Sequence, residues 1–194
     1  MGKSRLEAFS DGVIAIIIIT IMVLEMKVAH GETLESLRPL VPVFLSYVLS
    51  FAYVGIYWNN HHHMLHASGT VTGPILWANL HLLFWLSLFP FVTGWMGENH
   101  LAPAPSALYG LVLLMAAIAY RVLQQAIIAA QGPGSLLKRA VGSDWKGRLS
   151  PALYLLAVVA TAWSPWLAQA IYVGVALLWL VPDRRIERAL RDRR

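Results

Sequence analysis

The sequence predicts an all-α integral membrane protein of six transmembrane helices with both termini in the cytoplasm. Three observations carry that reading. Of the 194 residues, 58% are hydrophobic and only 13% charged, and mean hydropathy is +0.60, whereas a soluble domain is about a quarter charged. The apolar residues are gathered into runs long enough to cross a bilayer. The lysines and arginines are gathered into alternate connections between those runs. This composition excludes a disordered chain and counts against a soluble enzyme. The chain has no cysteine, which excludes disulfides, thiolate metal sites and a cysteine nucleophile.

The first four runs are residues 6–26, 39–58 (extending towards 65), 74–96 and 106–130. The last apolar region, 149–181, has 33 residues. At about 1.5 Å per residue that far exceeds one crossing of a ~30 Å hydrocarbon core. Pro165, within Trp163-Ser164-Pro165-Trp166, is a natural breaker. It divides the region into a fifth run at 149–163 and a sixth at 166–182. No internal repeat and no low-complexity tract interrupts this plan.

Charge placement fixes the orientation. With the N-terminus inside, the inner segments 1–5, 60–73, 131–148 and 183–194 hold twelve of the 15 lysines and arginines. The outer connections hold Lys27 and Arg38, and Arg121 lies inside the fourth run. That bias obeys the positive-inside rule only if the crossings are even in number. Trp95, Trp163 and Trp166 fall at outer ends and Trp58, Trp77 and Trp179 at inner ends, as interfacial tryptophans do. Residues 183–194 form a basic cytoplasmic tail on a six-helix transmembrane unit of residues 1–182. Its arginines suit anionic lipid head groups, and no nucleic-acid partner is expected. The N-terminus mimics a secretory signal, but no convincing small-residue cleavage site follows and Asp11 interrupts the approach, so it is read as the first span.

The first run carries the sharpest signal. Asp11 and Glu25 bracket thirteen residues, about 20 Å of helix, too short for the core. Asp11 is therefore drawn below the inner surface, where an ionisable group needs a partner. Arg5 is six positions away, about 240° round the axis, so the partner must come from another helix or another subunit. Candidates on the same face are Asn59, Asn60, His61, His62 and His63, then Asn79 and His81, and Arg121. On the same helix Ile16, Thr20, Val23 and Lys27 form a narrow stripe, flanked by Ile19. Such a stripe suits packing or lipid contact equally well.

The opening Arg5-x-x-x-Phe9-Ser10-Asp11, followed by Gly-Val-Ile-Ala-Ile, resembles the signature of the transmembrane protein 175 family of potassium channels. Tyr57-Trp58-Asn59-Asn60-His61-His62, Leu86-Ser87-Leu88-Phe89-Pro90-Phe91 and Trp179-Leu180-Val181-Pro182-Asp183-Arg184-Arg185 resemble it too. The resemblance implies a six-helix unit, one per chain, assembling as a homotetramer whose first helices line a central pore. It also implies that bulky apolar side chains, not backbone carbonyls, form the constriction. The matching position, five residues after the aspartate, is Ile16. Further layers fall at Ile19 or Thr20, then Val23. The family pattern places a threonine eight residues after the aspartate; here Thr20 lies nine after it. Arg5, Ser10 and Asp11 are implied to brace the pore helix, with Asn79 and His81 as expected partners. Around a four-fold axis Glu25, Glu32 and Glu35, with Glu98, would draw cations to the outer mouth.

The function expected is a potassium-preferring channel of the cell membrane, with permeant potassium, the bilayer and copies of itself as partners and no cofactor. One rival is a proton-coupled secondary transporter relaying protons through Asp11 and residues 61–66. Another is a metal-dependent membrane enzyme. His62 and His66 have the i, i+4 spacing of two zinc ligands, but further ligands are not apparent nearby and no metal is expected. Gly132-Pro133-Gly134-Ser135 reads as a loop and Ser10 lacks a catalytic base, so no enzyme is predicted.

Overall fold

In a computed structural model the described residues are 2–25, 32–142 and 144–180. They form α1 (Lys3–Glu25), a 3-10 segment at Leu34–Leu40, α2 (Val41–His66), α3 (Gly73–Ser87), α4 (Phe89–Glu98) and α5 (Pro103–Gln131). A 3-10 turn at Gly132–Gly134, α6 (Leu136–Val141), α7 (Trp145–Ala160) and α8 (Pro165–Leu180) follow. Each of the apolar runs read from the sequence is therefore helical over most of its length. The tail at 183–194 lies outside the described residues.

Proline sets several of the helix starts. α2, α3, α4 and α5 each carry one in the first turn, where the missing N–H is not needed and the fixed φ suits the helix. Side-chain caps start α6 and α7. Ser135 Oγ accepts from Lys138 N at 3.1 Å to start α6, and Asp144 Oδ1 accepts from Gly147 N at 3.1 Å to start α7. The third run, read as one helix, is two. Pro90 offers no N–H and crowds the carbonyl four residues back, and Leu88 N turns to Trp85 O at 3.3 Å in a tighter 3-10 bond. The break between α3 and α4 sits there.

Successive long helices alternate in direction. At one end of the bundle Lys3 Nζ donates to His66 O at 2.7 Å, Arg121 Nη1 to Gly147 O at 3.2 Å and Trp179 Nε1 to Ser150 Oγ at 2.8 Å. At the other end Gln169 Nε2 donates to Ser106 Oγ and Tyr172 OH to Ser106 O, both at 3.0 Å. α7 and α8 thus make an antiparallel hairpin across Pro165, and the start of α1 and the end of α8 share one end of the bundle.

The centre is aromatic. Phe89 stands between Tyr53 and Tyr109, with ring centroids at 6.4 and 6.1 Å, and Tyr109 meets Tyr172 edge-on at 5.6 Å. Their hydroxyls are not wasted in an apolar interior. Tyr53 OH donates to Tyr172 O at 2.6 Å, and Ser50 Oγ joins Thr93 Oγ1 at 2.7 Å and Tyr109 OH at 3.0 Å. Where lipid replaces water, polar groups must find partners inside the protein, and such interhelical bonds hold the helices together. Gly110 permits the closest approach: a Cβ there would collide with the Tyr172 hydroxyl and lie 2.8 Å from Val158 Cγ2.

Among the described residues three helical stretches, Leu34–His66, Gly73–Glu98 and Pro103–Gly134, are long and apolar enough to cross a bilayer by length and composition. α7 and α8 have 16 residues each, about 24 Å of helix.

Candidate functional site

α1 has two unlike faces built from the same residue types. Ile14, Ile17 and Ile21 are 1%, 4% and 0% exposed, packed with Leu6 into the core. Ile16, Ile19 and Val23 are 64%, 56% and 66% exposed. With Arg5, Phe9 and Gly12, also exposed, they make a line in which every step is three or four residues, one face of a helix. Thr20 is half-buried. At about 100° per residue Ile19 points away from the buried arc, and Thr20 sits on its margin.

A polar cluster fastens the buried face. Ser10 is fully buried, and its Oγ donates to Leu6 O at 2.9 Å and accepts from Asn79 Nδ2 at 3.0 Å. His61 Nε2 donates to Asn79 Oδ1 at 2.7 Å. Three elements, α1, α2 and α3, are thereby joined by side chains that leave no water-exposed polar atom at the joint. Asp11 is half-buried nearby, and its Oδ1 accepts from Trp58 Nε1 of α2 at 3.0 Å. Lys3 ties the start of α1 to the end of α2 and approaches Glu7 Oε1 at 3.9 Å.

The remaining sequence-derived residues fall elsewhere. His81 accepts from Trp85 Nε1 at 2.9 Å on its own helix. Asn79 and His81 are two positions apart, about 200° round α3, so one cannot join the other's cluster. His61 takes the place expected of His81. Its signal was present in the sequence: Tyr53, Tyr57, His61 and Leu65 repeat every four residues and are all buried, so the histidine continues the core face of α2. Arg5 is exposed beside the apolar line. Glu32, Glu35 and Glu98 are exposed at the opposite end of the bundle, and the Glu25 side chain lies outside the described residues. His62 and His66 stack at 6.1 Å, and no group of three or more potential ligands able to hold a metal occurs among the described residues.

α1 thus offers an exposed apolar line from Phe9 to Val23, with the Ser10 hydrogen bonds on its buried side. Comparison with known proteins gives the arrangement a context. The family model described as the endosomal/lysosomal potassium channel TMEM175 matches residues 5–90. A potassium channel of Chryseobacterium sp. (strain P1-3) is 54% identical over 192 residues, spanning 99% of this chain and 100% of that protein. A potassium channel of Chamaesiphon minutus is 32% identical over 187 residues, spanning 89% of this chain and 91% of that one. The crystal structure of a lysosomal potassium-selective channel TMEM175 homolog from Chamaesiphon minutus matches with a TM-score of 0.80 and 28% identity, over 93% of this chain and 97% of that chain. The chain belongs to the TMEM175 family of potassium channels, a family of ion channels and not of enzymes.

Proposed function

We propose that the chain conducts potassium in preference to sodium, as a homotetramer in the cell membrane with α1 of each copy lining the central path. The observation that carries this reading is the apolar line on α1, exposed on the single chain and opposed by a hydrogen-bonded, buried face. One helix cannot enclose a conduit, so such a line becomes a wall only when copies meet around an axis. Ile16 forms the narrowest ring, with Ile19 and Val23 above it. The exposure of Ile19 favours it over Thr20 as the second layer. Rings of this kind pass or stop ions by wetting and dewetting.

In this reading six helical runs cross the bilayer, with α3 and α4 together making the third crossing. Both termini face the cytoplasm, as the twelve inner lysines and arginines favour. Ser10, Asn79 and His61 hold the pore helix, Asp11 is held by Trp58, and Arg5 lies towards the neighbouring copy. Glu25, Glu32 and Glu35 stand near the outer mouth. The permeant ion is potassium and no cofactor takes part.

The test is reconstitution in liposomes under opposed potassium and sodium gradients. Passive currents that reverse nearer the potassium potential are expected. Absence of current, equal permeation of the two ions, or transport that stalls without a proton gradient would overturn the reading, the last in favour of the coupled transporter.

A further inference from the structure

Far from α1 the bundle carries a second chemically defined feature. α1 packs on α2, α3 and α4, whereas α7 packs on α5 and α8. Between α5 and α7, on that distant side, lies an open groove of about 520 Å³ lined by Ile118, Arg121, Val122, Gln125, Arg148 and Pro151. Its composition is divided. Ile118 and Val122 are exposed apolar side chains on α5. Arg121 and Arg148 bring two positive charges, and no carboxylate lines the groove among the described residues.

Neither arginine forms an ion pair among the described residues. Arg121 Nη1 donates to Gly147 O at 3.2 Å, which occupies one of five N–H donors. The nearby acid that precedes α7, Asp144, is engaged in capping the helix through Gly147 N. Arg148 is exposed in the first turn of α7. The level of the groove follows from the same contacts. Arg121 is ten residues before the end of α5, and its bond to Gly147 sets it level with the start of α7. α7 starts with Asp144, Lys146 and Arg148, groups that belong at a head-group interface and not in hydrocarbon. Two guanidinium groups without a carboxylate partner among the described residues, over an apolar furrow at that level, match one kind of occupant. Arginine binds phosphate oxygens in a bidentate fork, and basic pockets between transmembrane helices bind anionic head groups.

We propose that the α5–α7 groove binds an anionic phospholipid, its phosphate held by Arg121 and Arg148 and one acyl chain running over Val122 and Ile118. The feature concerns the lipid-facing side of the bundle and is independent of the ion path.

Native mass spectrometry of the detergent-solubilised protein, with equimolar phosphatidylglycerol and phosphatidylcholine, tests it. Phosphatidylglycerol should be retained in preference. Arg148→Gln should weaken its retention about five-fold and leave phosphatidylcholine unchanged, as expected for one basic group near a head group. Gln125→Glu, at an exposed position of the groove, should weaken it by a similar factor by placing a carboxylate beside the arginines. The mass of the intact protein in the same spectra reports folding, and the two variants alter different sites. Equal retention of both lipids, or phosphatidylglycerol retention unchanged in both variants, would overturn the proposal. Displacement of the lipid by millimolar inorganic phosphate would overturn it too, by showing that a free anion suffices.

Discussion

Beyond its first turns, the buried and exposed faces of α1 are both built of β-branched aliphatic side chains, and that likeness is instructive. Ile14, Ile17 and Ile21 are at most 4% exposed, and Ile16, Ile19 and Val23 are at least 56% exposed. In water such a difference would be written as an amphipathic pattern. In a bilayer, lipid tails are as apolar as isoleucine, so hydrophobicity cannot decide which face turns inward. The decision falls to Ser10, whose hydroxyl partners among the described residues are Leu6 O and Asn79 Nδ2. A polar residue in the first half of the helix thus selects the face that a later apolar line presents.

The largest expected departure between the two faces is in stability. Ile21→Ala should leave a cavity against the core and cost about 2 kcal/mol or more. Ile16→Ala should stay within about 0.5 kcal/mol, as a change on an exposed position does. Thermal denaturation of the detergent-solubilised variants checks the contrast, and equal losses at the two positions would break it. The second effect concerns the brace. Asn79→Ala leaves Ser10 and His61 without their shared partner, which should cost about 1–3 kcal/mol. A single-chain denaturation curve that does not move would show that the face is chosen by something else. The smallest effect belongs to the margin between the faces. Asp11→Ala removes the acceptor for Trp58 Nε1 and should cost about 1 kcal/mol, whereas Asp11→Asn keeps an acceptor oxygen and should cost less. Thermal denaturation of the two variants checks that assignment: a larger loss in the alanine variant is expected, and identical losses would remove the hydrogen bond from the account.

Much of the helical plan was legible in the sequence because it rests on length and on proline. The division of the last apolar region at Pro165 follows from a ring that cannot continue a helix. The same rule applied to Pro90 would have divided the third run at Leu88, but that stretch reads as one uninterrupted apolar segment of crossing length. Of the five residues expected in the polar network, Ser10 and Asn79 meet at the joint, Asp11 bonds Trp58, Arg5 is exposed and His81 bonds Trp85 on its own helix. The depth of Asp11 demanded partners from other helices, and Trp58 of α2 is one. His81 was expected beside Asn79, although residues two apart on a helix face away from each other, and His61 on the four-residue core repeat of α2 stands there instead. The hydroxyl cluster of Ser50, Thr93 and Tyr109 had no local signal, since it joins residues 43 and 59 positions apart. Long-range pairings of single hydroxyls leave no periodicity to read.

The central claim is that the exposed line of α1 walls the ion path while its opposite face does not. The chain has no cysteine, so single cysteines can be placed on a clean background. The direct measurement is modification of Ile16→Cys, Ile19→Cys and Val23→Cys, and separately of Ile14→Cys and Ile17→Cys, by a charged thiol reagent while potassium current is recorded in reconstituted membranes. The account predicts strong block at 16, 19 and 23 and unchanged current at 14 and 17. Block at 14 and 17 with none at 16, 19 and 23 would contradict it.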